Sequence, residues 1–198
     1  TYSVTSLDVT QVKRVNTNDI VDPGVATASS NTLTVRTGTL TVTANSGATA
    51  PQVVSGQTSL TTLGTWDFTA GSGEGITLTN VVIDDSTAGI GRNFKELELW
   101  IDGVKRSQDT STTLSPTATT TTVTFNISPS YVVAASQTAT VELKGKILNS
   151  PLDVGATVTL AVDASGVTGT GQASLTALST IPAADVNGQV VTINTAGT

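Results

Sequence analysis

The segment KELELWI at 95–101 constrains what this chain can fold into more than any other feature. Leu97, Leu99 and Ile101 alternate with Glu96, Glu98 and Trp100. An extended backbone therefore sends the aliphatic set to one side and the second set to the other. The same period of two returns in LTVTA (Leu40, Val42, Ala44) and in TTLGTWDFTA (Trp66, Phe68, Ala70). It returns again in TVTFNI (Val123, Phe125, Ile127) and TVTLAV (Val158, Leu160, Val162). In TVELKGKI, Val141, Leu143 and Ile147 oppose Glu142, Lys144 and Lys146. Threonine supplies about a fifth of the chain, and its stiff side chain suits a pleated sheet. No long window repeats apolar residues at helical spacing. Short strands punctuated by Gly, Asn, Asp and Pro predict an all-β sandwich or barrel, and the sandwich is the expectation taken forward. Its core is expected around Trp66, Phe68, Leu97, Leu99, Val123, Phe125, Val141 and Leu143. Asp102-Gly103 between two strand-like runs predicts a type I′ hairpin, and GSGEG at 71–75 reads as another hairpin loop.

With 198 residues the chain can hold one large β domain, or one domain and part of another. The net charge is −6 and the densest cations are only the pairs Lys13-Arg14 and Lys105-Arg106, so nucleic acid and anionic lipid are not expected partners. No stretch approaches the roughly 18–20 apolar residues of a membrane-spanning helix, so no membrane insertion is expected. The opening at Thr1, without a secretory leader, is expected of a processed form or an excised segment. Cys, His and Met are absent. Nothing oxidises easily, which suits a long-lived exterior protein, and an extracellular or cell-surface location is expected.

Without His or Cys, the Ser-His-Asp and Cys-His catalytic sets and the usual zinc sites are excluded. Carboxylates alone could serve a glycosidase, and Glu74, Asp84, Asp85, Glu96 and Glu98 are the candidates. Such clefts carry aromatic platforms, however, and the chain has two Trp and two Tyr. The expectation is no enzyme and no cofactor other than calcium. For calcium the candidates are Asp84 and Asp85, before the loop STAGIGR, with Asp102 or Asp109 adding oxygens. The same aspartates are equally ordinary turn residues. Asn126-Ile127-Ser128 is a glycosylation sequon, but Pro129 and its strand placement count against use. An internal Lys–Asn isopeptide needs a buried lysine, and these lysines fall on polar faces. Trp100 is the one aromatic on an outward strand face: an interface residue, or core if both faces are covered.

The sequence also repeats itself. TYSVTSLDVT at 1–10 follows the alternation of ATVTLAVDAS at 156–165, with Leu7-Asp8 on Val162-Asp163. VATASSNTLTVRTGT at 25–39 follows AADVNGQVVTINTAGT at 183–198, with Gly38-Thr39 on Gly197-Thr198. A period near 155–160 residues is that of a domain rather than a solenoid unit. The expected division is an N-terminal β extension at 1–37, a sandwich at 38–150 and a C-terminal β extension at 151–198.

The runs GTLTVTANSGATAPQVVSG, GTWDFTAGSGEGITLTNVVI, ELELWIDGVKR, TATVELKGKI and GVTGTG cover most of 38–171. In them the chain resembles the tandem immunoglobulin-like repeats of large bacterial surface proteins of the S-layer-like and adhesin-like kind. The resemblance implies an immunoglobulin-like Greek-key sandwich with terminal β-strand extensions. It implies a passive spacer, lattice or stalk module and carries over no functional residue. The leading expectation is a structural subunit of an extracellular filament or surface layer, a head-to-tail homopolymer joined by strand pairing. Val4, Leu7, Val9, Val12, Ile20 and Val25 would fill a neighbour's groove, with Trp100 as a further interface residue. A carbohydrate- or protein-binding adhesin module and a virion decoration domain are the alternatives.

Overall fold

In a computed structural model the described residues are 12–13, 20–21, 37–54, 57–85, 93–109, 122–148 and 154–194. The chain divides into two compact units, Thr1–Arg36 and Thr37–Thr198. In the first, β1 (Val12–Lys13) pairs antiparallel with β2 (Ile20–Val21), with Val12 opposite Val21. Val4, Leu7, Val9 and Val25 lie outside the described residues.

Among its described residues the second unit contains ten strands and no α-helix. They are β3 (Leu40–Ala44), β4 (Gln52–Val54), β5 (Thr61–Ala70), β6 (Ile76–Asp85) and β7 (Phe94–Ile101), followed by β8 (Val104–Asp109), β9 (Val123–Val133), β10 (Thr138–Ile147), β11 (Thr157–Gly171) and β12 (Val186–Asn194). They form two sheets, ordered β3-β5-β10-β7-β8 and β4-β12-β11-β6-β9. Every pairing is antiparallel except the short parallel one between β4 and β12.

The core lies between the sheets. Trp66, Phe68, Leu97, Leu99, Val141 and Leu143 of the first face Ile76, Leu78, Val81, Ile83, Phe125, Leu160 and Val162 of the second, all nearly inaccessible. Val123, expected in this set, is only partly buried. Val123 is the first residue of β9, whereas along β10 buried residues alternate with half-buried ones from Ala139 to Ile147 as its sequence alternates.

Two expectations are corrected. GSGEG at 71–75 is not a hairpin loop, because β5 belongs to the first sheet and β6 to the second, so the loop carries the chain across the sandwich. Residues 151–198 are not an extension of a sandwich complete at 150. β11 pairs with β6 on one side and β12 on the other, so this segment supplies the middle of the second sheet. Without it Ile83 and Val81 would lose the strand beside them.

The hairpin at 102–103 forms as its sequence requires. Asp102 has φ 48° and Gly103 φ 74°, the two positive values of a type I′ turn. The Asp102 carboxylate accepts the Thr140 backbone N–H at 2.8 Å and the Tyr131 hydroxyl of β9. The Arg106 guanidinium lies 5.1 Å from the Tyr131 ring centre. One turn residue thus ties both sheets together, and its hydrogen bond, with burial, pushes the Tyr131 pKa up to about 12. A Cβ on Gly103 would meet no atom within 4 Å, so only backbone strain opposes a side chain there. Gly103→Ala is expected to cost about 1 kcal/mol in chemical denaturation, with the native spectrum unchanged.

The two ends of the sandwich are chemically distinct. At the leading pole, where the unit's chain comes in, Leu40 sits opposite Ala70, the last residue of β5, and the Gly71 N–H bonds the Thr39 carbonyl. The turn at 172–174 meets the same pole, because Ile76 pairs with Gly171. At the trailing pole β12 runs out beside the start of β11, with Thr192 opposite Thr157, while Leu160 sits opposite Asp85 at the far end of β6. The ten residues of β6 separate the poles by about 30 Å.

Candidate functional site

The most organised polar cluster outside the sheets surrounds Glu74 at the leading pole. Its side chain is only 8% exposed. Oε1 accepts the Gly38 N–H at 2.7 Å and the Ser174 hydroxyl at 2.6 Å. Oε2 accepts the N–H groups of Ala173 at 2.6 Å and Ser174 at 2.8 Å. A carboxylate with four short donors is held ionised, and the Ser174 hydroxyl, then the Ser174 and Ala173 amides, lower its pKa from 4.5 to about 2.

Close backbone approach makes this possible. A Cβ on Gly38 would lie 2.5 Å from Ile76 Cδ1, and one on Gly171 would lie 2.2 Å from Glu74 Oε1. Glycine at both positions lets the incoming chain and the β11 turn reach the carboxylate. The cluster therefore fastens three segments: the start of the unit, the crossing loop and the turn after β11. Its chemistry is that of a clasp.

Trp100 lies half-buried on the outer face of the first sheet. Its indole N–H donates to Glu98 Oε2 at 2.9 Å, and the Lys144 ammonium sits 4.3 Å from the ring centre. Around it run the ion pairs Lys105–Glu98 at 3.3 Å, Lys144–Glu142 at 3.3 Å and Lys146–Glu96 at 2.6 Å. The hydrogen bond from Lys146 holds the Glu96 carboxyl below its usual range. Trp100 is thus the centre of a charged lattice rather than a bare apolar patch.

The carboxylates named from sequence do not converge. Glu74 is at the leading pole, while Glu96 and Glu98 are engaged on the first sheet's outer face. Asp84 and Asp85 sit on β6 of the second sheet, where neighbouring residues point to opposite faces, Asp85 buried and Asp84 half-buried. Asp84 instead shares its side of the second sheet with Asp163 and Asp185. Burial first, then the charges of Asp185 and Asp84, push the Asp163 carboxyl up. Among the described residues no group of three or more metal-ligating side chains is set to hold a cation. Asn126 of the sequon accepts the Asn80 amide at 2.6 Å on the exposed side of β9. Among the described residues no helix is long and apolar enough to cross a membrane. No protein-family model matches the chain, and no curated protein matches it.

Sequence reasoning missed the clasp, because Glu74 stood in a Gly-rich loop that reads as solvated. The available signal was glycine at 38 and 171 against one carboxylate, but nothing in sequence placed the two together.

Proposed function

We propose that the chain is a structural module of an extracellular filament or surface layer, with an immunoglobulin-like sandwich as its unit. The observation carrying this reading is the placement of the unit's two ends at opposite poles. Gly38 is held at the leading pole by Glu74, and Asn194 leaves at the trailing pole. Tension along such a chain pulls β3 lengthwise against β5 and β12 lengthwise against β11. The ladder bonds of each pair are then loaded together rather than one at a time. A spacer or lattice element needs that arrangement.

Self-association by strand pairing belongs to the same proposal. Among the described strands only β4 lies beyond β12, and it covers no more than Thr192–Asn194. A strand from a second copy would have the remaining length of β12 beside which to add.

The test uses the absence of native cysteine. Arg36→Cys and Thr195→Cys give two unique attachment points for single-molecule pulling on the complete chain. One abrupt unfolding event releasing about 50 nm is expected, from roughly 3.5 Å per extended residue. Gradual lengthening at low force, without an abrupt event, would remove the load-bearing reading.

A further inference from the structure

The exposed large hydrophobic residues of the second unit are not scattered. Among the described residues they are Leu60, Val104, Val132, Val154, Leu175 and Val190. Leu175 follows the 172–174 turn, Val104 follows the 102–103 hairpin and Val132 lies opposite Thr77, so these three ring the leading pole. Leu60 precedes β5, Val154 begins the turn before β11 and Val190 lies opposite Thr159, so the other three sit at or near the trailing pole. Leu175 is the extreme case. It is 76% exposed and has φ 55°, a backbone region that costs a leucine energy. Its backbone N–H closes the 172–174 turn on the Gly171 carbonyl, but its exposed leucine side chain gains nothing for the isolated unit.

The sequence recurrence says what meets these poles. Gly38 falls on Gly197 at an offset of 159, and across the extra residue Ala196 the alternation continues at 158, with Leu33 on Val191 and Val35 on Ile193, which places Asn194, the last residue of β12, on Arg36. In a succession of copies, the position equivalent to the end of β12 is therefore Arg36. Gly38 is already fixed to the next unit through Glu74. In the sequence only Thr37 intervenes, and the step from Arg36 to Gly38 spans at most about 7 Å. That is roughly a quarter of the pole-to-pole length, too short for the poles to stand clear of one another.

We propose that successive copies of the 37–198 unit dock pole to pole. Leu175, Val104 and Val132 of one copy pack on Leu60 and Val154 of the copy before it, so the array is a stiff rod rather than a string of freely hinged beads. The contact is heterologous and head-to-tail, a geometry that propagates without closing. This rests on the structural-module reading above and adds the surface through which modules meet.

The test is the complete chain extended by a second copy of residues 40–198, in phase with the recurrence. One spin label is placed on the outer sheet face of each sandwich, and the distance distribution between them is measured. A single narrow distribution is expected. Leu175→Asp in the second copy should at least double its width, with the melting temperature of each sandwich unchanged, since Asp tolerates positive φ. A broad distribution in the unsubstituted tandem overturns the proposal. So does an unchanged width after Leu175→Asp and Val104→Asp together. Either result leaves the pulling behaviour of the single unit intact, so failure of the docking contact is distinguishable from failure of the load-bearing reading.

Discussion

Trp66→Ala is expected to lower the stability of the second unit by about 3–5 kcal/mol, the range for truncating a large buried aromatic. Trp66 has no accessible surface and stands in β5 between the two sheets. Its indole N–H donates to the Val186 carbonyl of β12 at 2.8 Å, a hydrogen bond that crosses the sandwich. Its ring fills the space that Gly64 and Gly188 leave open: a Cβ would lie 2.4 Å from the ring at the first and 2.9 Å at the second. Truncation therefore leaves a cavity that two glycines cannot fill, and it strips the Val186 carbonyl of a donor. For a unit of this size the loss should appear as a fall in melting temperature of roughly 10 °C. Thermal denaturation followed by circular dichroism checks it. A change below about 2 °C would mean that Trp66 does not organise the core.

Glu74→Gln should weaken the leading pole and change the acid response of the whole unit. The substitution keeps shape but replaces one acceptor oxygen with an NH₂ group facing N–H donors. At least one of the Gly38, Ala173 and Ser174 amides then loses its partner, and hydrogen exchange at these positions should accelerate. The folded-state pKa of Glu74, about 2, lies below the unfolded-state value of 4.5. Its contribution to stability is therefore complete above pH 4.5 and disappears as pH falls toward 2. Asp163 acts in the opposite sense. Its carboxyl is pushed up, so protonation relieves it and its favourable contribution is lost as pH rises. Comparing parent and variant cancels the Asp163 effect. Their stabilities should differ most at neutral pH and converge between pH 4.5 and 2. A difference that stays constant across this window would show that the charge of Glu74 does not hold the pole.

Much of the fold was legible because burial and sequence share one period. KELELWI and TVELKGKI became β7 and β10 with their aliphatic residues inward, and Asp102-Gly103 gave the turn its dipeptide demands. What alternation cannot reveal is the sheet a strand joins. TTLGTWDFTA and GITLTNVVI read as neighbours across a short loop, yet they lie in different sheets. For the same reason TVTLAV passed for part of an appendage, although β11 is an interior strand. The Glu74 clasp was illegible because its donors come from positions 38 and 173–174, joined only by the folded topology. Alternation leaves Trp100 open between an interface and a covered face; it is half-buried, and its lysine and glutamate neighbours come from three different strands.

The late position of β11 has a consequence for how the protein is made. A ribosome working at roughly 5–20 residues per second delivers β11 on the order of ten seconds after β6. Until then β6 has β9 on one side and bare backbone on the other. The parallel pairing of β4 with β12 joins residues 52–54 to residues 192–194, so it closes only when the last strand has been synthesised. Such long-range pairings slow folding and leave hydrogen-bonding edges open in the meantime. During that interval the strand best matched to the vacancy beside β6 is a β11 of a neighbouring copy that has not yet docked in its own sheet, since in a finished copy β11 is paired on both sides. Exchange of strands between incompletely folded copies is thus the misfolding hazard of this topology, and it falls most heavily on polysomes where many copies emerge side by side.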